Sequence, residues 1–227
     1  MKILSLKLPV EREQIDELSV GDIVYLTGRI FTLRDRSHRR IEEYASKGLE
    51  LPFDLRGSAA LHCGPIIKTI GKNSWEAIDI GATSSSRFSP FIPPLIQQYG
   101  INIIVGKGNL FKGAVEALKS EGGVFLLAIG GCAALYGSQA KRVRANYWEE
   151  FGMADSVWEF EMENFGPLSV GIDSKGGNQY RNLREIRLKE SLKTVYQEIG
   201  IDPEKDYTWW PQVPPGTKRA TDYSTKI

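Results

Sequence analysis

INIIVGKGNLFKGAVEALKSEGGVFLLAIGGCAALYGSQAKR, residues 101–142, carries the pattern from which the fold class is read. Residues 101–105 are a short apolar run rich in isoleucine and valine, the mark of a buried strand. Residues 110–120 then space their apolar side chains for a helix, 124–127 form a second buried run, and 132–142 read as another helix. Strand and helix alternating in this way indicate an α/β domain. Working outward, Leu4, Leu6 and Leu8 alternate with Ser5 and Lys7, and residues 23–33 form an extended run after the turn signal Ser19-Val20-Gly21-Asp22. Short strands expected at 59–62, 75–80, 158–162 and 168–172 make the sheet mixed. From about Tyr180 the character changes. A charged helical stretch, 183–199, leads into Tyr207-Thr208-Trp209-Trp210-Pro211 and a polar end. The expected organisation is one domain over 1–180 and a C-terminal helical and polar appendage over 181–227. The paired tryptophans of that appendage either pack back on the domain or dock on a neighbouring subunit.

The 227 residues, 41% of them hydrophobic, suffice for one substantial packed domain. Lysine plus arginine (29) nearly cancels aspartate plus glutamate (28), so no net field draws the chain to a nucleic acid or an anionic membrane. The longest apolar stretch, 124–135, is broken by Gly130 and Gly131 and falls short of the roughly 20 residues that span a bilayer. Lys7, Glu11, Arg12 and Glu13 interrupt the amino end before a secretory leader can develop, so the expected compartment is the cytoplasm. Cys63 and Cys132 stand far apart and outside any CxxC or Cys/His spacing. Two thiols are too few to hold an iron–sulfur cluster, and they read as free cysteines of a reducing compartment. No metal ligands are assigned to this chain.

Three clusters offer chemistry, each at the end of an expected strand. The first is Thr32-Leu33-Arg34-Asp35-Arg36-Ser37-His38-Arg39-Arg40, where a helix begins near Asp35. A helix start presents free backbone N–H groups, and Arg34 adds a planar fork suited to a carboxylate. His38, Ile41 and Ala45 share one helical face, which turns His38 toward the apolar side. The same residues also fit a plain helix cap at Asp35, a solvated basic face and a packing histidine. The second cluster is Gly81-Ala82-Thr83-Ser84-Ser85-Ser86-Arg87, a run of hydroxyls and an arginine able to donate to carboxylate oxygens, or a polar loop with incidental hydroxyls. It precedes Pro93 and Pro94, which suit the start of a helix. The third is Val105-Gly106-Lys107-Gly108-Asn109, whose glycines allow close approach and leave the lysine ammonium as a point charge at the sheet edge. Its spacing is not that of a P-loop.

Taken together, GDIVYLTGRIFTLRDRSHRR (21–40), LPFDLRG (51–57), Gly64-Pro65, Thr83 to Arg87, Gly106-Lys107-Gly108, Gly131-Cys132-Ala133, WEEFGMADSVW (148–158) and residues 165–178 resemble the β subunits, or carboxyl-terminal domains, of class I fumarases and L(+)-tartrate dehydratases. The resemblance covers the chain to about residue 180. It implies a swivelling β/β/α domain that closes over a [4Fe-4S] cluster held by cysteines of a separate α subunit, the cluster supplying Lewis acidity to a hydro-lyase reaction. It further implies that Arg34, Arg87 and Lys107 bind the carboxylates of a C4 substrate, that Thr83 lies by the proton that moves, and that His38 supports the site. Family members often read PTTxxRM where this chain has Ala82-Thr83-Ser84-Ser85-Ser86-Arg87-Phe88, so Phe88 bears on substrate identity. A threonine hydroxyl is a weak base, and Thr83 needs Lys107 or a carboxylate of the α subunit to act; His38 is the alternative proton carrier. The leading expectation is reversible hydration of fumarate to malate by a hetero-oligomer. L(+)-tartrate dehydration to oxaloacetate is the alternative, and a non-catalytic dicarboxylate-binding or assembly module is the rival of another class.

Overall fold

The structure is a computed structural model and describes residues 1–201. In chain order the elements are β1 (Ile3–Lys7), α1 (Arg12–Asp16), β2 (Ile23–Thr32), α2 (Asp35–Ser46), β3 (Ala59–Leu61), β4 (Ile66–Gly71), β5 (Ser74–Asp79) and a 3-10 turn (Ser86–Phe91). There follow α3 (Ile92–Tyr99), β6 (Ile103–Gly106), α4 (Lys112–Glu121), β7 (Val124–Ala128), α5 (Ala133–Ser138), β8 (Ala140–Tyr147) and β9 (Val157–Ile172). Two units are distinguished, one over Met1–Gln179 and one beginning at Tyr180. The helix α6 (Gln179–Asn182) lies across that boundary in sequence, and the second unit carries a π-helical turn (Leu183–Leu188) and α7 (Lys189–Glu198). The Trp209-Trp210 pair lies outside the described residues. Among the described residues no helix is long and apolar enough to cross a membrane.

In the first unit β1, β2, β3, β6 and β7 run parallel, with β9 antiparallel to both β2 and β7 and β8 antiparallel to β9. The order is β1-β2-β3-β6-β7-β9-β8, and the further pairing of β2 with β9 closes the mixed sheet on itself. Period-2 alternation explains why the parallel strands read as unbroken apolar runs. Ile30, Ala59, Leu61, Ile103, Val105, Val124 and Leu126 join one buried cluster, while the intervening Phe31, Ala60, Ile104 and Phe125 join another. That second cluster also takes Ile41 of α2, Ile92, Leu95 and Ile96 of α3, and Ala114 and Leu118 of α4. Each such large apolar side chain contributes about 1.5–3 kcal/mol on burial. The helix α3 starts as its prolines require, with Pro in its first turn, and stops at Gly100 in the left-handed region (φ 67°).

Three expectations need correction. The helix over 132–142 is confined to Ala133–Ser138; from Ala140 the chain is strand β8, because Arg142, Val143 and Ala145 pair with Glu161, Phe160 and Glu159 of β9. Residues 158–162 and 168–172 are not separate strands but the two halves of β9, continuous across Asn164 (φ 50°), whose amide donates to Thr27 Oγ1 at 3.0 Å. The strand β4 was not anticipated; it pairs with β5 in a separate two-stranded sheet, turning at Asn73 (φ 53°). The mixed α/β class itself is what the chain adopts.

Candidate active site

The carboxyl ends of β2, β3 and β6 lie side by side, since Thr32 is in register with Leu61 and Leu61 with Val105. Residues leaving those ends therefore meet on one rim. The loop over 81–85 is laced across it. Thr83 donates its amide to the His62 carbonyl (2.8 Å), Ser85 donates to the Lys107 carbonyl (2.8 Å), and His62 donates to the Val105 carbonyl (2.9 Å). Bridges Cys63–Ala82 and Ser84–Lys107 complete the seam. The three clusters recognised in the sequence are thus one piece of structure.

Arg34 is the residue before the first turn of α2, and Asp35 opens that turn. Asp35 is not the cap; its carboxylate accepts from Arg87 Nε at 3.0 Å and Arg87 Nη2 at 3.1 Å. Burial pushes the Asp35 carboxyl up, but the Arg87 hydrogen bonds and charge outweigh it and hold the group below the ordinary carboxylate range. Arg87 Nη1 also donates to the Ser84 carbonyl at 3.3 Å. Arg34 lies between Asp35 and Asp155 at 3.9 and 3.8 Å, outside hydrogen-bond range, and its Nε is buried with no hydrogen-bond partner. Its guanidinium packs on Gly64, where an added Cβ would stand 2.6 Å from Arg34 Nη1 and 2.9 Å from the Ala154 carbonyl. Lys107 is exposed and Thr83 half-buried. No carboxylate among the described residues lies within ion-pair distance of Lys107.

His38 is the exception. Its ring is 1% exposed, stacks on Phe91 (centroids 5.0 Å, 10° between planes), and touches Phe88 and His62. Burial lowers its pKa to about 3 against an opposing pull from Asp35, so it is neutral at physiological pH and turned into the core behind the rim. Arg34, Thr83, Arg87 and Lys107 leave the same rim, and His38 lies beneath it against Phe88, Phe91 and His62.

The sequence reading passed over His62. It is 0% exposed, its Nδ1 lies 2.8 Å from Ser85 Oγ, and burial, His38 and Arg87 all push its pKa well below the ordinary value. The signal was the period-2 alternation of β3, which carries position 62 to the same face as Ala60, toward the helices. Ser85 is likewise buried and turned inward, so it is not a donor to a ligand. Nor do the two glycines around Lys107 act alike. A Cβ at Gly106 would meet Ser85 Oγ and, at 3.2 Å, His62 Nδ1, whereas Gly108 faces open space and is needed for its φ of 80°.

Among the described residues no group of three or more His, Cys, Asp or Glu side chains comes together as metal ligands. Cys63 is buried at the end of β3, where burial pushes its thiol up and keeps it protonated. The described residues do not form a cluster cradle. A cleft of about 470 Å³ lined by Trp75, Asn146, Met153 and Trp158 contains none of the rim residues.

Comparison with known proteins places the chain in a family. Residues 1–183 match the family described as Fumarase C-terminus. The chain is 42% identical over 189 residues to the Methanocaldococcus jannaschii protein named "Putative L(+)-tartrate dehydratase subunit beta", covering 83% of this chain and 92% of that one. It is 36% identical over 194 residues to the Escherichia coli L(+)-tartrate dehydratase subunit beta, covering 86% and 94%. A Geobacillus stearothermophilus protein named "Putative fumarate hydratase class I" is 32% identical over 189 residues, which are 83% of this chain and 36% of that longer one. By this match and these identities the chain belongs to the Fumarase C-terminus family.

Proposed function

We propose that this chain is the β-type subunit of a hydro-lyase acting on a C4 dicarboxylate, active only with an α-type subunit that holds a [4Fe-4S] cluster. The observation that carries the reading is the shared rim of Arg34, Thr83, Arg87 and Lys107, with cations set around a hydroxyl and an exposed face left for a partner to cover. In this reading Arg34, Arg87 and Lys107 hold the two carboxylates. A planar guanidinium matches a carboxylate edge, and Lys107 supplies a point charge. Thr83 Oγ1 acts in its deprotonated form and takes the carbon-bound proton as the substrate hydroxide departs from the adjacent carbon, and Lys107 stabilises both the threonine alkoxide and the negative charge that builds on the substrate. His38, neutral and buried, holds Phe88 and the 3-10 turn under the loop. Residues 1–180 form the swivelling domain that closes on the partner, and 181–227 are an extension to it. The location that fits two free thiols is the cytoplasm.

L(+)-tartrate is the first substrate, supported by relatives of subunit length matched over more than nine-tenths of their own chains. Fumarate and malate are the second, supported by the class I fumarate hydratase relative. Either substrate places two carboxylates within reach of the same cations. The test is anaerobic co-purification with the α-type subunit, cluster reconstitution, and assay on malate, fumarate and both tartrate enantiomers. Turnover of one C4 substrate by the complex and none by this chain alone is expected. Association without turnover of any of the four would replace the enzyme reading with that of a binding or assembly module, and turnover by the chain alone would remove the partner.

A further inference from the structure

We propose that His62 and Ser85 form a buried positioning pair that fixes Lys107 and Thr83 relative to one another, an assignment that rests on the hydro-lyase reading of the rim. The pair is built from the backbone outward. Ser85 Oγ lies 2.8 Å from His62 Nδ1 and accepts from the Lys107 amide at 3.2 Å. The same serine's amide donates to the Lys107 carbonyl, so Lys107 is gripped on both sides by one residue. His62 in turn accepts the Thr83 amide on its own carbonyl and donates its own amide to Val105. The links between the proton-taking hydroxyl and the lysine thus run through these two residues, both 0% exposed in a part of the core where rearrangement is costly.

The hydrogen-bond directions follow from the partners available. Ser85 Oγ has one proton to give and already accepts from Lys107; among the described residues its other partner is His62 Nδ1. The hydroxyl therefore donates to Nδ1, and the ring is the tautomer with its proton on Nε2, an atom that is buried without a hydrogen-bond partner. A protonated imidazole would make Nδ1 a donor and leave the Ser85 hydroxyl proton without a partner in the core. Burial beside His38 and Arg87 keeps the ring neutral. Gly106 supplies the space: any Cβ there would run into Ser85 Oγ and press on His62 Nδ1. On the far side of the lysine, Asn178 Nδ2 donates to Asn109 Oδ1 at 3.2 Å, so the 106–109 loop is anchored at both ends. His62 and Ser85 touch no substrate in this arrangement. They act through Lys107 and Thr83.

The test uses the full chain in its complex with the α-type subunit and reads two quantities. The first is hydrogen–deuterium exchange at the Lys107 amide, which does not depend on any reaction. Ser85→Ala and His62→Phe should each speed that exchange on the order of tenfold, the worth of one hydrogen bond, while His62→Asn, whose Oδ1 replaces Nδ1 as acceptor, should restore protection. Unchanged exchange in Ser85→Ala and His62→Phe overturns the positioning pair. The second is the kinetics. Both variants should lower kcat by about tenfold or more with a smaller change in KM, and in a Lys107→Met background Ser85→Ala should cost little further, because its effect passes through the lysine. Full additivity of the two losses overturns the assignment, and so does a His62→Asn variant that stays as slow as His62→Phe despite restored protection. If exchange responds as expected but no variant and not the wild type turns over a C4 substrate, the hydro-lyase reading falls and the pair stands as the device that fixes this loop.

Discussion

The parallel strands β2, β3 and β6 and the antiparallel pair β8 and β9 are parts of one sheet, yet they manage charge to different degrees. On β8 and β9 ions meet ions: Arg144 lies 3.1 Å from Glu159 and 2.7 Å from Glu161, and Lys141 lies 3.8 Å from Glu163. At the ends of the parallel strands Arg87 is paired with Asp35, but Lys107 has no described counter-ion, Arg34 reaches Asp35 and Asp155 only at 3.9 and 3.8 Å with its buried Nε unbonded, and both ring nitrogens of His38 and Nε2 of His62 have no hydrogen-bond partner. Cross-strand neighbours in an antiparallel ladder can neutralise each other without any ligand. Loops leaving parallel strands all emerge at one edge, so their unspent charge accumulates there and awaits a ligand. The contrast separates a scaffold from a site, and four measurements bear on it.

The largest effect is expected from Lys107→Met, which keeps the stem and deletes the charge. In the reconstituted complex kcat/KM should fall by at least about 10²-fold, as for loss of one pre-organised electrostatic group, with association and unfolding midpoint unchanged. Near wild-type kinetics would take Lys107 out of the site and with it the contrast between the two regions. Thr83→Ala and His38→Asn come next and should part company. Thr83→Ala should reduce kcat by roughly 10²-fold at little cost in stability. His38→Asn should keep more turnover but lose about 1–3 kcal/mol, because it leaves an unbonded amide in an aromatic pocket. A reversed order of kinetic damage would give the proton transfer to His38.

The third measurement is the pH dependence of unfolding in the full chain. His38 falls to about 3 on folding and His62 falls well below its ordinary 6.5, so both are neutral in the folded protein while the unfolded chain takes up protons below 6.5. Their contribution is complete above pH 6.5 and is lost as the pH falls through the window from 6.5 toward 3. Each should add up to about 1.4 kcal/mol of lost stability per pH unit there. His38→Leu should remove about one proton's worth of that slope; an unaltered slope would mean that the ring is not buried neutral. The smallest effect is expected from Lys141→Ala. Its pair with Glu163 is mostly exposed (65% and 58%), and stability should change by less than about 0.5 kcal/mol with kcat unaltered.

How much of this is legible in the sequence can be judged residue by residue. Strands β6 and β7 were legible because parallel strands buried on both faces write themselves as continuous apolar runs. Strand β8 was not, since Arg142, Val143 and Ala145 acquire their meaning only from the register with Glu161, Phe160 and Glu159 on β9. Lys107, Arg87 and Arg34 were legible as cations at strand ends. His62 is harder to read because the alternation that turns it inward, one residue past a three-residue strand, says nothing of Ser85, which reaches it from 23 residues away. The glycines of the 106–109 loop were noticed for one reason and turn out to serve two, space at Gly106 and backbone freedom at Gly108.

Closure of the sheet has a further consequence, for the time course of biosynthesis. The ring is sealed by contacts such as the Trp158 amide on Thr32 Oγ1, partners 126 residues apart in a chain of 227. Residues this distant meet slowly, because the entropy of the intervening loop must be overcome first. On the ribosome β2, β3, β6 and β7 all emerge before β9, and until β9 arrives the edges of β2 and β7 stay unpaired, that of β7 purely apolar in sequence. A pause in translation shortly after residue 128 would prolong that exposed state, while one after residue 172 would come when every strand of the ring had been made.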